Sequence, residues 1–115
     1  MLVVDDDPDI RELLFTALED EGFEVVPAAN GQEALAIITT FRPDVIVLDL
    51  MMPVMDGWQF AGALRQREED IPLVLLSAAR DLPSHAKSLG AAEIIAKPFD
   101  LSELLPKIAR VASAA

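Results

Sequence analysis

Five short apolar runs punctuate the chain: LVV at 2–4, EVV at 24–26, VIVL at 45–48, LVLL at 73–76 and EIIA at 93–96. The first, third and fourth are nearly continuous in Val, Leu and Ile, the pattern of parallel strands covered on both faces. Helical spacing fills the gaps between them. Ile10, Leu13, Leu14, Ala17 and Leu18 fall on one stripe of a helix. Asn30 with Glu33 reads as a capping box ahead of Ala34, Leu35 and Ile38. Further helices are predicted over Gly57 to Arg67 and Leu101 to Ala112, the latter capped by Asp100 with Glu103 and disturbed by Pro106. The stretch 82–89, opened by Pro83, is the weakest helix. Alternating strands and helices predict an open parallel sheet with right-handed crossovers and helices on both faces. Ligands of such sheets sit beyond the carboxyl ends of the strands.

Composition narrows the class. A chain of 115 residues, 52% hydrophobic with a mean hydropathy of +0.34, is long and apolar enough for one domain with a real core. It has no cysteine, so neither a disulfide framework nor a thiolate metal site is available. No apolar run approaches the roughly 20 residues of a membrane span, and no leader pattern is visible, so a cytoplasmic protein with no membrane partner is expected. A net charge of −11, with nine Lys plus Arg, disfavours direct contact with nucleic acid. No long linker, tandem repeat or low-complexity segment appears. The glycines at 22, 31, 57, 62 and 90 are scattered and form no dinucleotide-binding fingerprint.

The chemistry collects at the strand ends. Asp5 and Asp6 end the first strand, Asp49 the third, Ser77 the fourth and Lys97 the fifth. Asp7, before Pro8, reads as a helix cap and is set aside as structural. Three carboxylates at adjacent strand ends repel one another, and a hard divalent cation such as Mg²⁺ relieves that repulsion. A lysine is ordinarily a surface residue, but Lys97 sits between a buried-type strand and Pro98, where its ammonium can pair with Asp49. Ser77 is either a strand-end hydroxyl bonded to backbone or a donor to a group carried on Asp49. His85, in the weak helix, is expected on the surface.

With VVDDDPDI, PDVIVLDLMMPVMDG, VLLSA and AKPF in this order, the chain resembles the response-regulator receiver domains, CheY-like phosphoacceptor modules of two-component signalling. The resemblance covers residues 1–115 as one domain. It implies a flavodoxin-like (βα)5 sheet in the order 2-1-3-4-5 with a shortened fourth helix. It implies Asp49 as phosphoacceptor, and Mg²⁺ held by Asp6, Asp49 and the Met51 backbone carbonyl, with Asp5 acting through a water on the metal. Ser77 becomes the switch hydroxyl and Lys97 the phosphate-pairing lysine, while Pro53 and Gly57 shape the turn and the Lys97–Pro98 bond is cis. The implied donor is a phosphohistidine on a sensor histidine kinase or a histidine phosphotransferase. The implied partner face comprises residues 82–89, 93–96 and 101–112. There the family's switch aromatic is replaced by Ile94. Such a chain is a regulator, at most catalysing its own phosphorylation and dephosphorylation. A pseudo-receiver interaction module is one alternative. A haloacid-dehalogenase-like phosphatase is another, opposed by Met51, which stands where that chemistry needs an acid.

Overall fold

The computed structural model describes residues 1–114. The expected domain's last residue, Ala115, lies outside them. The elements alternate as β1 (Leu2–Val4), α1 (Pro8–Asp20), β2 (Val26–Ala28), α2 (Gly31–Ile38), β3 (Ile46–Leu48), α3 (Gly57–Gln66), β4 (Leu73–Ser77), α4 (Leu82–Leu89), β5 (Glu93–Ala96) and α5 (Leu101–Ala114). All strand pairs are parallel, in the order β2-β1-β3-β4-β5. This is the open parallel sheet that the alternation predicts, in the flavodoxin-like order that the resemblance implies.

Strand periodicity divides the core in two. Leu2, Val4, Ile46, Leu48, Leu73 and Leu75 pack on one face with Ala34 and Leu35 of α2 and Phe60 and Leu64 of α3. Val3, Val47, Val74, Leu76 and Ile95 alternate onto the other face, against Leu14 and Leu18 of α1 and Leu104 and Ile108 of α5. The α1 stripe is narrower than its spacing suggests, since Leu13 is 44% exposed.

The second strand corrects the expected boundary of 24–26, running instead over Val26–Ala28. Val26 donates to the Met1 carbonyl and the Ala28 carbonyl accepts from Asp5, so the polar groups of residues 26 and 28 face β1. Those of Pro27 face the open edge, where a missing N–H costs nothing. Apolar periodicity favours Val25 over Pro27, whereas the ladder is decided by which backbone groups meet β1.

Helix starts follow local chemistry. The Asp7 carboxylate accepts the Asp9 and Ile10 amides, with Pro8 in the first turn. Asn30 accepts the Glu33 amide, but Glu33 reaches back to Ala29 rather than to Asn30. Asp56 and Gln59 form a reciprocal capping box at α3. At α5 the expected carboxylate cap is replaced by the Asp100 backbone carbonyl, which accepts from Glu103 and Leu104. Helix α5 continues through the exposed Pro106. The start of α4 has no side-chain cap, and Asp81 before it is left-handed at φ 54°.

Candidate functional site

The carboxyl ends of β1 and β3 form one acidic rim. The Asp5 amide donates to Ala28 at the end of β2, and the Asp49 amide donates to Val4 at the end of β1. These ladder bonds turn both side chains out of the last strand residues while leaving them almost covered, at 1% and 4% exposure. Asp6, one residue on, is exposed. One carboxylate oxygen from each of Asp5, Asp6 and Asp49 lies within 4.8 Å of the others.

Lys97 closes the cluster from β5. Its amide is held by the Ser77 carbonyl at 3.0 Å, and the bond to Pro98 is cis. Its Nζ donates to Asp5 at 2.8 Å and to Asp49 at 3.0 Å. Burial works to lower the lysine pKa, but the two hydrogen bonds and the two negative charges outweigh it and hold the group above its ordinary value. The Asp5 pKa is raised as well, which for a carboxylate disfavours the charged form. Burial raises its pKa by more than Lys97 and the Asp7 amide lower it.

The turn after Asp49 is tightly specified. The Met51 amide donates back to the Asp49 carboxylate at 3.1 Å, while the Met51 residue itself is 58% exposed. The Pro53 carbonyl accepts the Met55 amide, and the Met55 carbonyl accepts Gly31 at the start of α2. Gly57 donates to the Leu50 carbonyl, and a Cβ there would sit 2.6 Å from Leu50 Cα and 2.7 Å from the Asp49 carbonyl oxygen. Only glycine lets α3 start this close to the strand that delivers Asp49. Ser77, 1% exposed at the end of β4, accepts the Ala79 amide on its Oγ at 3.1 Å.

The structure therefore brings Asp5, Asp6, Asp49 and Lys97 into contact, with Ser77 on the adjoining strand end and Pro53 and Gly57 in the turn. Ile94 lies elsewhere: half-buried in β5 beside Leu75, its carbonyl takes the Lys107 ammonium at 3.1 Å. Two functional contacts escape sequence reasoning. Arg11 Nη1 donates to the Asp5 carbonyl at 2.8 Å, bracing the acidic loop from α1. His85 is half-buried rather than on the surface, and accepts the Trp58 indole N–H. Arg11 had a signal in its place one turn into the helix that follows the acids. The contact between residues 58 and 85 leaves no periodicity at all.

Three oxygen-bearing acids against one ammonium leave two uncompensated negative charges. Oxygen donors of this type suit a hard divalent cation, so the cluster can hold a metal. Among the described residues, no helix is long and apolar enough to cross a membrane.

Comparison with known proteins agrees with this geometry. The structure superposes on the receiver domain of the Francisella response regulator 1452 with a TM-score of 0.90, at 33% identity over 98% of this chain and 95% of that one. Response regulator protein TrrA from Thermotoga maritima, solved in complex with Mg(2+)-BeF, matches at TM-score 0.84 and 39% identity, covering 96% of each chain. Among curated proteins, the transcriptional regulatory protein PrrA of Mycobacterium tuberculosis is 44% identical over 94% of this chain. The probable transcriptional regulator ycf27 of Porphyridium aerugineum is 42% identical over 96%. The chain spans about half the length of these curated relatives, 47% in both cases. The response regulator receiver domain model matches residues 1–109, from the acidic rim through most of α5, and the chain belongs to that family.

Proposed function

We propose that the chain acts as one receiver unit, residues 1–115, in which Asp49 accepts a phosphoryl group from a phosphohistidine of a sensor histidine kinase or phosphotransferase. The observation that carries this reading is the single ammonium of Lys97 shared between Asp49 and Asp5 inside an acidic cluster. A buried carboxylate so paired is held at a fixed place beside a positive charge. In the transfer, an Asp49 oxygen bonds phosphorus, the donor P–N bond breaks, and the leaving imidazole takes a proton from solvent.

Asp6, Asp49 and the Met51 carbonyl, with Asp5 behind them, would hold Mg²⁺. The bound ion supplies charge neutralisation for the phosphoryl oxygens. Lys97 keeps its place beside Asp49 and pairs with a phosphoryl oxygen once the group is attached. Ser77 can give up the Ala79 amide and donate its proton to a second one. The same residues let the chain catalyse its own phosphorylation from a small phosphodonor and its own dephosphorylation.

The added charge then biases the surface of α4, β5 and α5 for a downstream domain or protein partner. The names of the curated relatives support a transcriptional output for the whole regulator. The charge of −11 supports a domain that does not itself touch DNA. A phosphohistidine donor fits a cytoplasmic setting. A pseudo-receiver would need none of these acids, so their convergence on Lys97 favours the phosphoacceptor.

The test is acetyl phosphate with Mg²⁺, followed by intact mass. A gain of one phosphoryl group is expected, lost on chelation and lost in Asp49→Asn. Equal modification of the Asn variant would overturn the assignment.

A further inference from the structure

Two loops leave the acidic rim and run straight into helices, and those helices meet at one side-chain pair. The Asp49 turn leads into α3, whose second residue is Trp58; the Ser77 loop leads into α4, whose first turn carries His85. Trp58 Nε1 donates to His85 Nδ1 at 3.3 Å, with the rings edge to face at 5.0 Å and 76°. The indole nitrogen can only donate, so this hydrogen bond uses the lone pair of His85 Nδ1. A protonated imidazole has a donor at both nitrogens and sets N–H against N–H. The hydrogen bond, as distinct from the ring–ring contact, requires that lone pair.

Helix α4 rests on the sheet through Leu82, its one buried residue, with Ala86 and Leu89 half-buried against the core, while its start lacks a side-chain cap and a second tie to α3 is the 3.4 Å bond from Arg65 to the Ser88 carbonyl. The charged groups on the surrounding segments include Asp56 and Arg65 on the α3 side, Arg80 and Asp81 in the loop before α4, Glu93 on β5, which packs against α4, and Lys87 on α4 itself. Among the described residues none of them hydrogen-bonds the imidazole. At 3.3 Å the indole bond is longer than the usual range, strong enough to orient the ring and weak enough to be exchanged.

We infer that Trp58 and His85 form a proton-sensitive clamp between α3 and α4, opened by protonation of His85 or by a phosphoryl group drawing the Ser77 loop toward Asp49. The phosphoryl half rests on Asp49 as phosphoacceptor; the proton half does not. The two inputs are linked, so each favours the other. A phosphorylated receiver binds a proton at His85 more readily, and acid pre-releases α4.

Trp58 is the only tryptophan of the chain, so its emission reports the clamp directly. Emission of the full chain is titrated across about pH 5 to 8, the window in which histidines change charge. A single transition is expected in the wild type and none in His85→Gln. With Mg²⁺ and beryllofluoride, the midpoint should rise by about half a unit to one unit, the three- to tenfold carried by one neutral hydrogen bond. In Trp58→Phe, amide exchange of 82–89 should match that of acidified wild type at every pH. Emission that ignores pH, or that titrates equally in His85→Gln, overturns the clamp. Binding of beryllofluoride is read separately by its fluorine resonance. If the mimic binds and the midpoint stays fixed, the coupling is wrong. If the mimic fails to bind, the Asp49 reading fails, and the pH comparison still decides the clamp.

Discussion

Replacing Lys97 with methionine keeps most of the side-chain stem and removes the ammonium that Asp5 and Asp49 share. Each of its bonds, at 2.8 and 3.0 Å, is charge-assisted, and such bonds contribute about 1.5 to 3 kcal/mol apiece. Lys97 is 17% exposed, so some of this is screened, and removing one partner of a buried ion pair typically costs about 3 to 5 kcal/mol. We expect a loss of about 3 kcal/mol in the absence of divalent cation. For 115 residues at about 2.1 cal/mol/K each, the unfolding entropy is about 0.24 kcal/mol/K, so Tm should fall by about 12 °C.

The sign of the pH dependence follows from the two shifts. The raised Lys97 pKa means that its contribution is complete below the unfolded lysine value and is lost only as pH rises through the folded one. Asp5 is raised by burial already, and more so without the ammonium. Its penalty is therefore full above the folded pKa and fades as pH falls toward the unfolded carboxylate value. Urea unfolding should show the deficit large at about pH 8 and smaller at about pH 4.5. Mg²⁺ at 100 times its Kd adds about 2.7 kcal/mol to a protein that binds it only when folded. The variant should gain more than the wild type, because the cation replaces the missing charge. A deficit indifferent to both pH and Mg²⁺ would mean that Lys97 acts by packing alone, and the electrostatic reasoning would fall.

Val54 is a β-branched residue at φ 69° and 74% exposed, so Val54→Asn should relieve about 1 kcal/mol of backbone strain and raise Tm by about 4 °C; an unchanged melting curve refutes this. Met51 and Ala79 follow Asp49 and Ser77 by two residues and offer no side-chain hydrogen bond to an attacking water, so Met51→Asn with Ala79→Glu should shorten the acyl-phosphate lifetime several-fold. A phosphate-release assay that finds decay unchanged or slower would defeat it. Beryllofluoride with Mg²⁺ should change amide protection across residues 78–90 while leaving Ile94 nearly untouched; a silent 78–90 segment would sink the idea.

The parallel strand ends were legible in the sequence, the bounds of the edge strand less so. Continuous runs such as LVLL mark buried parallel strands because both faces are covered, and the residue after each run is thereby carried to the rim. Asp49 and Lys97 could be placed from the strand ends alone. The edge strand could not be bounded in that way, because Pro27 is tolerated there for a reason of pairing geometry that no apolar count records. Arg11, Gly31 with Met55, and Trp58 with His85 join through backbone carbonyls or single ring atoms. Such contacts need the assembled layers before the partners are near each other. The Asp56–Gln59 capping box was present as a local pattern, overshadowed by the turn around Gly57.

Shifting a two-state surface from 1:99 to 99:1 takes about 5.5 kcal/mol of differential stabilisation. An aromatic residue swapping between buried and exposed positions could supply part of that, and Ile94 has neither the area nor a phenol to do so. The alternative is to lower what must be overcome. Asp81 in a left-handed conformation and a first turn without a side-chain cap leave the start of α4 less fixed than its end, where Ala86 and Leu89 pack on the core. Its hold on α3 runs through one indole–imidazole bond and one arginine-to-carbonyl bond, both long. Each is the size of a single neutral hydrogen bond, about 0.5 to 1.5 kcal/mol. In the proposed phosphorylated state, Ser77 drawn toward Asp49 would pull on a helix that two long hydrogen bonds tie to α3.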